Sequence, residues 1–246
     1  MTKETRAIMK ESKVSHLTIK KLKTQSAIRK YVTLKNLRFL MLEIRDHILA
    51  RYERRRLRNQ DFSIISNDCV AGGMYRKLGI SYNTPTVGLF FFAEGYIKFL
   101  ENFRYYVKQP LKFVQKSRYP EVKLLEIKNY PVGLLGDDIE IHFIHYKTEQ
   151  EAAAKWKKRC KRINFSNLFF IFSQKYLFKK QYLQRFENLP FKHKIFFSSK
   201  KRNSSLSVFL KDYQTIGLVG DLFNERKYEK YFDVIKWLNG EQNFLN

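Results

Sequence analysis

From residue 61 onward, apolar positions come in short β-rich runs separated by segments with helical spacing, the alternation expected of a sheet with helices packed on its faces. Residues 62–66, 122–127, 139–144, 168–172, 194–197 and 207–210 read as strands. A helix is predicted over 94–107, where Ile97, Leu100, Phe103 (or Tyr105) and Val107 share a side and Pro110 then stops it. Thr148 and Glu151 stand at capping-box spacing, so a second helix starts near Glu149 and runs to Arg162. A third, near 226–238, sets Tyr228, Tyr231, Ile235 and Leu238 on one face. The fold class is therefore α/β, a mixed or mostly parallel sheet flanked by helices, built as a single domain over residues 61–246.

The N-terminal quarter has a different pattern. Leu37, Met41, Ile44, Ile48 and Tyr52 recur every three or four residues and the run ends in Arg54-Arg55-Arg56-Leu57-Arg58, which makes residues 35–60 a basic amphipathic helix. Residues 1–34, lysine-rich and without sustained period, read as a basic, partly mobile tail. Charge sharpens the contrast: residues 1–60 hold 17 Lys+Arg against 5 Asp+Glu, while the remaining 186 hold 31 against 18. Two readings of the helix stand. Its apolar side packs on the main domain and its arginines complement the helix C-terminus, or it adsorbs to an anionic membrane surface, where each basic residue contributes about 1 kcal/mol. The net charge of +25 also invites a nucleic-acid partner. No zinc-finger spacing or aromatic RNA-binding signature supports that partner, and it is set aside. With 44% hydrophobic residues the chain can fold, and with two cysteines it has no disulfide framework. No signal-peptide pattern or apolar run of about 20 residues is found, so a cytoplasmic protein is expected, peripheral at the inner face of the plasma membrane if the helix adsorbs.

Three segments offer chemistry. In the first, residues 62–75, a strand runs into Asn67, Asp68 and Cys69 and then Gly72-Gly73 opens toward a helix, the place where α/β proteins hold ligands. A helix N-terminus lowers a thiol pKa, so Cys69 is either a nucleophile or a small buried hydrophobe, with Asn67 and Asp68 shaping the turn. In the second, residues 134–146, strand alternation sends His142 and His145 to opposite sides. His145, at the strand end, suits a general base or a core histidine. Asp137 and Asp138, after Gly136, suit a divalent cation, a sugar hydroxyl or simply a turn. In the third, Tyr82, Asn83 and Thr84 precede an apolar run, and can contact a sugar or phosphate or merely lead into a buried strand. Cys160, in the helix expected from Glu149, is read as structural.

Together these residues resemble a known family. Residues 62–69 with Gly72, Gly73 and Tyr75, then Tyr82-Asn83-Thr84-Pro85 with Gly88-Leu89-Phe90, then Tyr96-Ile97-Lys98-Phe99, are similar to the bacterial family called domain of unknown function 1919, whose members are often labelled exopolysaccharide biosynthesis proteins. Pro131-Val132-Gly133, residues 138–146, Ala153, Lys155-Trp156, Arg159 and Arg162-Ile163-Asn164 extend the resemblance over about residues 35–220. Asp68 departs from it, since many members carry Asn there. The resemblance implies an α/β fold and a role in making surface polysaccharide. Within that role acyl transfer to a sugar or lipid-linked glycan is the expected reaction, from a donor such as acetyl-CoA, at the cytoplasmic membrane face. Cys69, His145 and Asp68 are the catalytic candidates. Asn67, Gly72, Gly73, Tyr82, Asn83, Thr84, Asp138 and His142 are the substrate-binding ones, the glycines through backbone N–H groups that would hold an oxyanion. No metal-ligand set is assigned to this reaction. Metal-dependent glycosyl transfer through Asp137 or Asp138, and a non-catalytic binding role in the same pathway, are the alternatives.

Overall fold

The computed structural model describes residues 48–245 apart from 126, 128 and 242. The predicted tail and the face formed by Leu37, Met41 and Ile44 lie outside the described residues. Contacts divide the chain into units 1–49 and 50–246, and the fold below is that of the second.

Four strands, β1 (Ser63–Ser66), β5 (Leu168–Ser173), β6 (His193–Ser198) and β7 (Ser207–Phe209), form one parallel sheet in that spatial order. Their near-continuous apolar runs are those of strands buried on both faces. Alternation divides the side chains between two cores. Phe62, Ile64, Phe169, Ile171, Ile195 and Phe197 face the helices α2 (Val70–Leu78) and α7 (Val234–Leu238). On the other side, Ile65, Phe170, Phe172 and Phe196 meet α3 (Ala93–Glu101), α5 (Glu149–Cys160) and α6 (Lys180–Asn188). A second, antiparallel sheet follows the order β2 (Leu111–Val114), β3 (Val132–Leu135) and β4 (Ile139–His142). The α/β class, a mostly parallel sheet flanked by helices, is thus as expected.

Among the described residues β1 has a strand neighbour on one side only. Its other edge is closed by residues 83–91, which run beside it: the Ser63 hydroxyl donates to the Asn83 carbonyl, Ser66 N–H to Thr86 Oγ1 at 3.1 Å, and Phe91 N–H to the Asn67 carbonyl at 2.9 Å. The same segment then pairs with β4, because Phe90 and His142 exchange backbone hydrogen bonds of 2.8 and 2.9 Å. One stretch of coil therefore joins the two sheets.

Several predicted elements differ. Residues 120–125 are a 3-10 helix with no buried residue rather than a strand; Pro120 presets the first helical φ, and no alternating face is covered. The helix predicted over 94–107 breaks at Asn102 (φ −126°, ψ 43°), whose carbonyl accepts from Tyr105 and Tyr106 as α4 (Phe103–Tyr106) begins. The helix predicted over 226–238 becomes a 3-10 turn, Lys227–Lys230, and α7, because the Asp233 carboxylate accepts from Ile235 N–H and Lys236 N–H and caps a new start. Only half of the capping box forms on α5: Thr148 Oγ1 accepts from Glu151 N–H at 3.1 Å, but the Glu151 carboxylate accepts from Lys147 N–H, not from Thr148.

Residues 50–56 form a helix, α1, and Arg54, Arg56 and Arg58 of this region serve the fold. Arg54 donates to the Gly79 carbonyl at the end of α2, Arg56 pairs with Glu53 and Asp233, and Arg58 donates its backbone N–H to Asn239 Oδ1 and pairs with Glu241. Tyr52 is 60% exposed.

Asn67 carries the β1–β5 pairing one residue past the strands. Its side chain donates to the Ser173 carbonyl at 3.0 Å and accepts from Ser173 N–H at 2.8 Å, imitating a backbone rung in a fully buried position. Asn67→Ala, leaving both Ser173 groups unsatisfied, is expected to lower the unfolding free energy by about 2–4 kcal/mol, measured as a shift of the urea midpoint at unchanged slope.

Candidate functional site

The carboxyl ends of β1 and β5 open into a cavity of about 300 Å³. β1 delivers Asp68 and Cys69, β5 delivers Lys175 and Tyr176, and residues 218–224 close a third side. Most of the wall is apolar, with Val70, Phe90, Ile144, Leu222 and Phe223 among its members. Against it stand polar side chains that include Asp68, His145, Lys175 and Asp221. A cavity of this size with few convergent polar groups is the usual form of a small-molecule site.

Asp68 is 6% exposed and does two things. Its Oδ1 accepts from Val70 N–H at 3.1 Å, starting α2, and its Oδ2 lies 3.2 Å from Lys175 Nζ. Lys175 also donates to the Gly220 carbonyl at 2.5 Å, so one ammonium ties both strand ends to the 218–224 loop. Asp221 builds that loop by accepting from Phe223 N–H, Asn224 N–H and the Asn224 amide. Burial opposes its charge, but these hydrogen bonds and the nearby Lys175 outweigh burial and hold its pKa below the usual carboxylate range.

Cys69 lines the cavity without the electropositive setting its position promised. Burial, and after it the Asp68 carboxylate, push its thiol up to about 12, against the smaller pull of Lys175. The N–H groups at the start of α2 are already engaged, Val70 by Asp68 and Ala71 by Ser66 Oγ, and the thiol donates to the Leu89 carbonyl at 3.6 Å. Thiolate is thereby disfavoured, the reverse of the expectation.

His145 lines the same cavity from the end of the second sheet. It is exposed, its N–H donates to the Gly88 carbonyl at 3.1 Å, and Gly88 (φ +72°) permits this close approach: a Cβ there would stand 3.3 Å from His145 Cβ. Among the described residues no hydrogen bond joins His145 to Cys69. The structure thus brings Asp68, Cys69 and His145 to one cavity.

The expected binding residues are placed elsewhere. Asn67 is consumed by β5. Gly72 and Gly73 lie inside α2, where Gly73 N–H donates to the Cys69 carbonyl at 3.2 Å and each glycine admits a neighbour, Val87 and Phe223 respectively; an oxyanion role for Gly73 N–H is corrected accordingly. Asn83 and Thr84 stand beside the amino-terminal half of β1, away from the cavity, with Thr84 hydrogen-bonded to Thr86. Tyr82 meets Tyr75 edge-on at 6.0 Å and lies under Arg159. Asp137 and Asp138 form the β3–β4 turn, with Gly136 and Asp137 at φ +58° and +65°; Asp137 pairs with Lys112 and Asp138 accepts from Tyr106. Lys175, Asp221 and the 218–224 loop were missed, although a lysine just past an apolar strand and the Gly220-Asp221 step were visible in the sequence.

His142 is fully buried behind Phe90, in a box with Phe92, Tyr119 and Tyr130. Its Nδ1 is 3.3 Å from Tyr130 Oη, and its Nε2 has no hydrogen-bond partner among the described residues. Glu140 beside it is occupied by Ser117 and Arg118. Burial drives the His142 pKa down from 6.5 to about 4, against the opposing pull of Glu140. The unfolded chain therefore binds this proton more readily than the folded one, so stability should fall as pH drops from about 6.5 toward 4. Urea midpoints of the native chain and His142→Phe across that range check this: the variant should lose this part of the pH dependence.

The relatives agree with the resemblance noted at the outset. A protein of Haemophilus influenzae described only as uncharacterized is 36% identical over 191 residues, covering 75% of this chain and 87% of the relative. The family model described as domain of unknown function 1919 matches residues 41–239, and the chain belongs to that family.

Proposed function

We propose that the cavity between β1, β5 and His145 is the active site of an acyltransferase acting on a sugar hydroxyl in surface-polysaccharide biosynthesis. The observation that carries this reading is the convergence, at the carboxyl end of a parallel sheet, of an accessible imidazole with a largely buried Asp68–Lys175 pair in an apolar enclosure. In such a site a positioned imidazole takes a proton during attack, and a fixed cation offsets developing oxyanion charge.

The reaction is written as direct transfer, because the thiol of Cys69 is pushed up rather than down. The acceptor oxygen attacks the carbonyl carbon of an acyl thioester such as acetyl-CoA while His145 takes the hydroxyl proton. The ammonium of Lys175 faces the tetrahedral oxyanion. When the carbon–sulfur bond breaks, His145 returns the proton to the departing thiolate, so that an ester and a thiol leave. Cys69 serves as wall. Asp68 holds Lys175 in place and is a positioning residue. Peripheral membrane attachment through residues 35–60 belongs to the same reading and would bring lipid-linked acceptors to the site. Among the described residues no helix is long and apolar enough to cross a membrane.

Glycan O-acetylation in a strain lacking the gene, complemented with variants, provides the test. His145→Ala should abolish ester incorporation, with loss of about 100-fold or more, and Lys175→Met should lower it strongly. Cys69→Ala should stay within about twofold of the native chain, since no covalent step passes through it. Ester content unchanged by deletion of the gene, or lost with Cys69→Ala while the fold is intact, would overturn the proposal.

A further inference from the structure

A second concavity, of about 520 Å³, shares no residue with the first. It lies between the chain at 107–111 and the C-terminal half of α5. Along α5, Ala153, Trp156 and Cys160 follow helical spacing and make an apolar stripe, and Val107, Leu111 and Phe165 complete the apolar lining. Trp156 is 4% exposed and rests on Phe99 and Phe143, so the lining is continuous with the core and rigid. Lys108, Lys157 and Lys161 edge this surface; all three are exposed, and among the described residues no carboxylate lines the groove. The acidic residues of α5, Glu149 and Glu151, are confined to its first turn, two to three turns away.

A ligand for this groove must satisfy an apolar floor and three unopposed cations together. The basic segment 1–60 of the chain itself would be repelled, as would a second copy carrying +25. A free inorganic anion would leave the floor bare. We infer that the groove seats one anionic membrane phospholipid, its acyl chain against Trp156 and Leu111 and its phosphate among Lys108, Lys157 and Lys161. Such a contact docks the domain on a lipid surface by a route independent of residues 35–60.

The two tryptophans make the inference testable, because Trp156 floors the groove whereas Trp237 belongs to the core on the opposite face of the parallel sheet. The full chain carrying Trp237→Phe is mixed with phosphatidylglycerol vesicles brominated in the acyl chain, with brominated phosphatidylcholine vesicles alongside. Trp156 fluorescence should be quenched by the first and not by the second, and millimolar inorganic phosphate should not reverse it. Lys108→Gln/Lys157→Gln/Lys161→Gln should weaken the quenching isotherm by about a hundredfold at low salt. If Trp237→Phe does not fold, the difference between the native chain and Trp156→Phe gives the same signal. Co-sedimentation with phosphatidylglycerol without quenching would mean adsorption elsewhere on the chain. That result, equal quenching by phosphatidylcholine, reversal by inorganic phosphate or an unchanged triple variant would each overturn the inference. The cavity with His145 plays no part in this readout.

Discussion

The fold depends on how the open side of β1 is satisfied. An edge strand at the base of a site leaves a row of amide and carbonyl groups that must find partners when buried. Here no strand supplies them: the Tyr75 hydroxyl of α2 accepts from Ile64 N–H and donates to the Phe62 carbonyl, and the coil segment adds the Thr86 hydroxyl for Ser66 N–H and, just past the strand, Phe91 N–H for the Asn67 carbonyl. Because coil can change direction where a strand cannot, adjacent residues of the segment serve the two sheets, Phe90 bonding His142 of β4 and Phe91 bonding Asn67 just past β1. His145 reaches the mouth of the parallel sheet only because that second sheet is fastened there. Gly88 and the hydrogen bond from Tyr146 Oη to the Val87 carbonyl hold the junction close.

Polar residues around this junction serve the backbone before they serve a ligand. Asn67 lengthens a strand ladder, Ser66 and Asp68 start a helix, and Asp221 shapes a loop. Asp68 is the informative case, since one oxygen is spent on Val70 N–H and the other on Lys175. An asparagine there would keep the helix cap but not the ion pair, so the carboxylate sets the charge at the cavity floor without being required by the local fold.

The parallel strands were legible because their residues are apolar in unbroken runs, as in Leu168–Ser173. β2 and β3 were not, because Leu111–Val114 and Val132–Leu135 are short, partly exposed and stabilised by one another rather than by composition. α6 has no side-chain cap at Lys179 to announce it. At the site, the strand-end position of Asp68 and Cys69 could be read from the step into Gly72-Gly73, and the strand-end position of His145 from alternation along the strand before it. Their shared cavity could not, because it is set by residues 83–91, whose bonds to β1 come from side chains as much as from periodicity. The direction of the Cys69 shift was equally hidden: burial and Asp68 decide it, and neither is visible in a helix-start argument.

The opposite edge of the parallel sheet offers little to a strand from another molecule. With 22 phenylalanines and strands such as Leu-Phe-Phe-Ile-Phe-Ser, the sequence carries segments suited to intermolecular stacking. β7, the outer strand there, is three residues long and is bracketed by the exposed Lys200, Lys201 and Lys211. A strand from another molecule would gain few rungs there and would meet concentrated positive charge. The brevity and charge of this outermost strand thus work against templating by the apolar strands inside it.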